Sequence, residues 1–240
     1  MSINLGFTFN GRHSSELGLY IRTKSNPLLP NKRIVKETVM GKDGSYIFED
    51  GYEDKELEFE CTLLEDDLET RRLMARDIAE WLVSKGDLIL DYESDKKYIV
   101  IQTVNNIDLA FENGADIFDI KFVCEPFQYS VIENEGTSFD NPIGDISIIN
   151  SGSHKVLPVI EITGTGAIII ESNNKSFIYS NLNGTVYVDC ENYIVYSGNP
   201  KVNKLSNFSG DFINLIKGEN IVNVTGTITN IKFIYRNTYI

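Results

Sequence analysis

Apolar and polar residues alternate with a period of two along most of this chain, the pattern of strands with one buried face and one wetted face. The run Glu56-Leu57-Glu58-Phe59-Glu60-Cys61-Thr62-Leu63 puts Leu57, Phe59, Cys61 and Leu63 on one side and acidic side chains on the other. Leu5 to Phe9 alternates in the same way and turns at Asn10-Gly11, a strong hairpin signal, with Leu17–Ile21 as the strand that follows. Ser25 to Pro30 holds two prolines and little periodicity and reads as loop. Arg33–Val39 and Ser45–Phe48 flank Gly41-Lys42-Asp43-Gly44, whose glycines tolerate positive φ, so residues 33–52 are predicted to form a hairpin with a polar tip. Strands at Leu88–Leu90, Tyr98–Ile101 and Asp116–Cys124 continue the series, and Pro126 is expected to stop the last of them.

Before Tyr129 one segment holds a helical period, over about residues 67–85. Asp66 or Asp67 supplies an N-cap, Glu69 a capping-box partner, and Gly86 follows the last turn. Leu68, Ala75, Ile78 and Leu82, with Met74 and Trp81 beside them, form the stripe expected to be buried. Beyond Tyr129 the chain turns to Asn, Ser, Gly, Thr and β-branched residues with no helical period. Strands are predicted there at Asp145–Ile149, Val159–Thr163, Ala167–Glu171, Ser176–Ser180, Thr185–Asp189, Tyr193–Tyr196, Phe212–Leu215, Asn220–Val224 and Asn230–Tyr235. The fold class is therefore mainly β: a β-rich α+β domain with one helix over residues 1–130, then an antiparallel β-sandwich or jelly-roll domain over residues 131–240.

A chain of 240 residues fits two domains, and 11% aromatic residues provide enough bulk for two cores. No apolar run reaches the ~18 residues of a membrane span, and Met1 to Leu5 lacks the charged and apolar regions of a signal peptide, so synthesis and folding in the cytoplasm are expected. Cys61, Cys124 and Cys190 each lie in an alternating stretch and form no Cys-x-x-Cys pair, which reads as core thiols rather than a zinc or redox site. The formal charge of −13 opposes binding to nucleic-acid phosphates, and residues 1–130 hold 25 acidic against 15 basic side chains.

Catalytic chemistry finds little footing. The two histidines, His13 and His154, fall in different predicted domains, so a Ser-His-Asp site is expected to require both. Acidic pairs such as Glu53-Asp54 and Asp66-Asp67 read as a solvated face rather than a glycosidase pair. Gly164-Thr165-Gly166 lacks the third glycine of a dinucleotide site and is read as a turn between strands, and Asp43 to Asp54 lacks EF-hand spacing. No catalytic residue, metal site or cofactor is predicted.

The order of features resembles the distal tail protein family of long-tailed phages, prophages and phage-tail-like particles. The match lies in Phe7-Thr8-Phe9-Asn10-Gly11 with Ser15-Glu16-Leu17-Gly18-Leu19, then Gly41-Lys42-Asp43-Gly44, the helix ending in Trp81-Leu82, and Pro126-Phe127-Gln128-Tyr129. It continues in Pro158–Gly164, Gly210–Leu215 and Gly218-Glu219-Asn220. The resemblance implies a structural, non-enzymatic protein of the virion tail tip or baseplate. It implies a hollow homo-oligomeric ring, a hexamer in the family, built by the N-terminal domains with a galectin-like sandwich facing outward. The implied partners are the tail tube protein and a tail-tip, tail-associated fibre or lysin protein, with receptor-binding or baseplate proteins beyond them. A ring needs one patch to meet a different patch on its neighbour, and the 33–52 hairpin offers Tyr46, Phe48 and Tyr52 as anchors for that contact, although a hairpin packed on its own domain is an equal reading. The alternative function is a carbohydrate-binding module in host-surface recognition, resting on Tyr179, Tyr187, Tyr193 and Tyr196 as platforms for sugar rings.

Overall fold

A computed structural model describes residues 6–104, 110–112, 115–132 and 134–240. The opening segment Met1 to Leu5, and with it the start of the first alternating run, lies outside the described residues. The chain divides into two compact units, one running to Val131 and one over Ile132–Tyr239. It is mainly β with antiparallel sheets.

The first unit contains β1 (Phe7–Phe9), β2 (Arg12–His13), β3 (Leu19–Ser25), β4 (Lys32–Glu37), β5 (Tyr46–Tyr52), β6 (Lys55–Leu63), helix α1 (Leu68–Leu82), β7 (Gly86–Leu90), β8 (Lys96–Val104), β9 (Ala110–Glu112) and β10 (Ala115–Ser130). Its main sheet runs β2-β1-β7-β8-β10-β6-β3, with β9 on the start of β10. Alternation decides which side is covered: Leu57, Phe59, Cys61 and Leu63 on β6 face the same core as Phe118, Ile120, Phe122 and Cys124 on β10. Asn10 and Gly11 make the turn after β1, but the returning strand β2 has only two residues, and β3 pairs with β6 instead of closing the opening hairpin.

Helix α1 starts where its cap allows. Asp67 accepts the Thr70 N–H at 2.8 Å, which holds its carboxyl below the ordinary range. Glu65, not Glu69, receives the cap's own N–H, and Val83 closes the helix while Gly86 opens β7. The buried stripe is Arg71, Ile78, Trp81 and Leu82, whereas Leu68 points to solvent. Arg71 replaces it because Asp116 on β10 waits 3.3 Å from the guanidinium, and a paired charge is tolerated where a lone one is not.

Strand β10 does not stop at Pro126. Register shifts on either side of Cys124 absorb the missing N–H, and pairing with β8 resumes at Gln128 opposite Tyr98. All three thiols are buried, and burial raises the pKa of each, to about 12 for Cys124 and Cys190.

The second unit holds β11 (Asn134–Asp140), β12 (Gly144–Asn150), β13 (Val159–Ser172), β14 (Lys175–Asp189), β15 (Ile194–Ser197), β16 (Val202–Asn203), β17 (Phe208–Gly210) and β18 (Gly218–Tyr235). Three pairs of predicted strands are single long ones: β13, β14 and β18 each run unbroken through the place where a turn is read from the sequence. Gly164-Thr165-Gly166 is therefore not a turn but a bulged stretch inside β13, with register shifts at Gly164, after Thr165 and after Gly166. Phe212–Leu215 is likewise not a strand and contributes one bridge, from Leu215 to Val156.

These irregular points fold each long strand onto two layers. The early half of β13 pairs with the late halves of β14 and β18, extended by β15 and β11, while its late half pairs with their early halves, extended by β17 and β12. Both layers turn their apolar faces into one core, with Ile160, Val188 and Phe233 from the first and Ile148, Ile170 and Phe177 from the second. Glycine is required at the crossing. A Cβ on Gly164 would lie 2.3 Å from the Thr227 carbonyl oxygen, and one on Gly226, at φ +117°, 2.6 Å from that of Ala167. Gly226→Ala is expected to destabilise the second unit by about 1–3 kcal/mol through backbone strain, read as a lower urea midpoint, and an unchanged midpoint contradicts this.

Candidate assembly surface

Strands β4 and β5 pair only with each other among the described residues. The hairpin reaches away from the core because its sequence leaves it no choice of face. Ile34 and Val35, and likewise Tyr46, Ile47 and Phe48, are consecutive apolar residues, so both surfaces of the ribbon carry apolar side chains. Every residue of β4, and of β5 up to Gly51, is exposed, with Ile47 at 59% and Phe48 at 52%. The registers Val35↔Phe48 and Glu37↔Tyr46 place Val35, Tyr46 and Phe48 on one surface, and Ile34↔Glu49 with Lys36↔Ile47 places Ile34 and Ile47 on the other.

The base and tip are built differently. At the base Tyr52 is half-buried, with its ring set edge-on to Phe127 at 5.1 Å, while Glu53 N–H donates to the Asn31 carbonyl at 2.8 Å and Arg33 donates to the Tyr52 carbonyl at 3.1 Å. Asn26, just before the hairpin, donates to Tyr92 at 2.7 Å and accepts from Tyr98, whose hydroxyl in turn receives a long 3.4 Å contact from buried Lys55 just after it. Desolvation lowers the pKa of that lysine. At the tip, the Lys42 ammonium lies 3.3 Å from the Tyr46 ring centroid. Lys32 and Glu49 bridge the two strands at 2.8 Å. The two legs are thus fastened, and the ribbon beyond them is free to meet another surface.

Of the three residues singled out from sequence, Tyr46 and Phe48 share an exposed surface and Tyr52 sits at the fastened base. Reading aromatics alone passes over Ile34, Val35, Ile47, Val39 and Met40, all exposed. The signal for them was present in the sequence, since apolar residues at both parities of a short strand have no single core to face.

The tyrosines of the second unit are placed less favourably for sugar. Tyr179 is buried and its hydroxyl accepts from Asn207. Tyr187 and Tyr196 stack on each other at 5.1 Å, and Lys201 covers Tyr196 at 4.2 Å from the ring centroid. Tyr193 is exposed and meets the Phe212 ring at 5.2 Å.

A Ser-His-Asp contact forms within the first unit, contrary to the expectation that it would need both. His13 Nδ1 lies 2.6 Å from Ser15 Oγ and Nε2 lies 3.1 Å from Asp91 Oδ1. The geometry is that of a cap: Nδ1 accepts the Ser15 N–H, Glu16 accepts the His13 N–H, and Asp91 also accepts the Gly6 N–H at 2.7 Å. The three side chains pin the first strand to the turn at Asp91. Among the described residues no cluster of three or more metal-ligating side chains occurs, and no helix is long and apolar enough to cross a membrane.

The exposed, two-sided apolar hairpin is the candidate assembly surface of this mainly β chain, and the comparisons give the chain's class. Residues 2–124, more than half of the chain, match the family described as the phage tail protein RIFT-related domain, and the chain belongs to that family. It shares its fold with the crystal structure of the Dit protein of phage SPP1, with a TM-score of 0.75 and 15% identity over 98% of this chain and 99% of that one. That protein is described as a paradigm of the hub adsorption apparatus in phages infecting Gram-positive hosts. A chain of the phage P2 baseplate in its activated conformation aligns over 96% of this chain and 97% of that one, at 10% identity and a TM-score of 0.43. No curated protein matches.

Proposed function

We propose that the chain is a distal tail protein whose copies close into a hollow ring, a hexamer, at the end of a phage tail. The ring joins the tail tube protein to the tail-tip or host-adsorption apparatus, including a tail-associated fibre or lysin protein and receptor-binding or baseplate proteins. The first domain, residues 1–130, builds the ring, and the second domain, residues 131–240, is a galectin-like sandwich. The role is architectural and not catalytic. Family membership and the fold shared with a hub protein support the tail location. The observation that carries the ring is the β4–β5 hairpin, whose apolar side chains on both surfaces have no core of their own to enter.

Exposed apolar ribbon on a soluble chain marks an interaction site, and a heterologous contact repeated around an axis closes a ring. Tyr46, Phe48 and, at the base, Tyr52 serve as its aromatic anchors. Replacing Tyr46 and Phe48 together by Ser is expected to weaken self-association by roughly 10–100-fold while leaving the unfolding midpoint nearly unchanged. Sedimentation velocity with a parallel urea titration reads both quantities. A variant that associates normally overturns the role of the hairpin.

A further inference from the structure

We propose that the hairpin of one copy adds its β5 strand to the open edge of β3 in a second copy, extending the main sheet of the first unit from subunit to subunit. This rests on the ring reading and names the surface that receives the hairpin. Among the described residues the path of the main sheet ends at β2 and β3, with the three-residue β9 set beside β10, and β2 is only two residues long. The β3 edge spans seven residues, Leu19–Ser25, holds no proline, and among the described residues is bonded on one side only, to β6. Its free side offers a row of backbone N–H and C=O groups, the template that β-augmentation uses.

Charge selects which hairpin strand fits. β3 carries Arg22 and Lys24 and no acidic residue. β5 also has seven residues, with Glu49 and Asp50 and no basic one, whereas β4 carries Lys32, Arg33 and Lys36 against the single acidic Glu37. β5 therefore meets β3 with opposite charge, and β4 with like charge, which penalises the wrong edge. The Arg22 side chain is 79% exposed at its 3.5 Å contact with Glu60, so it can turn to a neighbour, while Lys24 is held by Asp119. Tyr20, on the same surface of β3 as Arg22, is also exposed and offers apolar area to Ile47, which shares its surface of β5 with Glu49.

The test uses the full chain, whose native thiols are all buried. Arg22→Cys is combined in turn with Ile47→Cys, Glu49→Cys and Asp50→Cys, and treated with a short bismaleimide beside Arg12→Cys on the opposite edge with the same partners. Electron microscopy of each sample records whether rings are present. A ladder of covalent multimers from Arg22→Cys with a β5 cysteine, and none from Arg12→Cys, is expected. Rings that yield no ladder, or one only from Arg12→Cys, overturn the β3 assignment and leave the ring reading standing. Monomers throughout overturn both. In a second arm, Arg22→Glu is expected to weaken association about tenfold and the added Glu49→Arg to restore it; failure of the rescue contradicts the pairing.

Discussion

Trp81→Ala is expected to destabilise the first unit by roughly 3–5 kcal/mol, the range for removing a large aromatic side chain from a packed core. Trp81 sits on the inner stripe of α1, stacked on Phe7 at 5.5 Å and 8°, and edge-on to Phe9 at 6.0 Å. Its indole N–H also donates to the Phe9 carbonyl at 2.9 Å, so truncation leaves a cavity among aromatic rings and removes the partner of a buried backbone oxygen. β1 has only three residues, paired to β7 and β2, and this bond with the stacking ties it to the helix as well. Trp81→Phe keeps much of the apolar volume but not the donor, and its cost should fall between those of wild type and alanine. Urea titration followed by far-UV circular dichroism checks the series. If Trp81→Ala keeps the wild-type midpoint and loses assembly, the residue belongs to an interface instead.

Asp116→Ala carries the second large effect. It leaves the Arg71 guanidinium buried without the carboxylate 3.3 Å away, and breaking one side of a buried ion pair costs about 3–5 kcal/mol. Replacing both residues by apolar ones of similar volume, as in Arg71→Met with Asp116→Leu, is expected to recover most of that loss, since neither charge then has to be desolvated. A double-mutant cycle measures the coupling directly. An Asp116→Ala protein as stable as wild type shows that water reaches the pair and removes it from the account of the core.

How far the sequence carries depends on whether the deciding partner is local. The Asp67 cap and the alternating face of β6 are short-range features, and the residues spell them out. Arg71 is different: a helical stripe counts apolar types, and only the fold brings Asp116 from β10 beneath the helix, so the inward place goes to a charge and Leu68 turns outward. Glycine misleads for a related reason. Gly164 and Gly166 look like a turn because turns use glycine, yet Gly164 is needed because the backbone of β18 passes where its Cβ would be, and β18 is some sixty residues further on. Pro126 looks like a strand end, and a bulge lets β10 continue past it.

For the hairpin, the Gly41–Gly44 turn and both strands were readable, and so were Tyr46 and Phe48. What the pattern concealed is that the two strands have no inner face, although the adjacent pair Ile34-Val35 already signals it. The fastening at Tyr52 and Phe127 lies beyond sequence reasoning, since it joins residues far apart in the chain.

The most direct test of assembly is electron microscopy of the purified full-length protein, with its mass in solution measured on the same sample. A closed, hollow ring of uniform diameter, with a mass equal to six copies of the chain, is the predicted result. A strictly monomeric protein at high concentration, showing no rings on the grid, would contradict it.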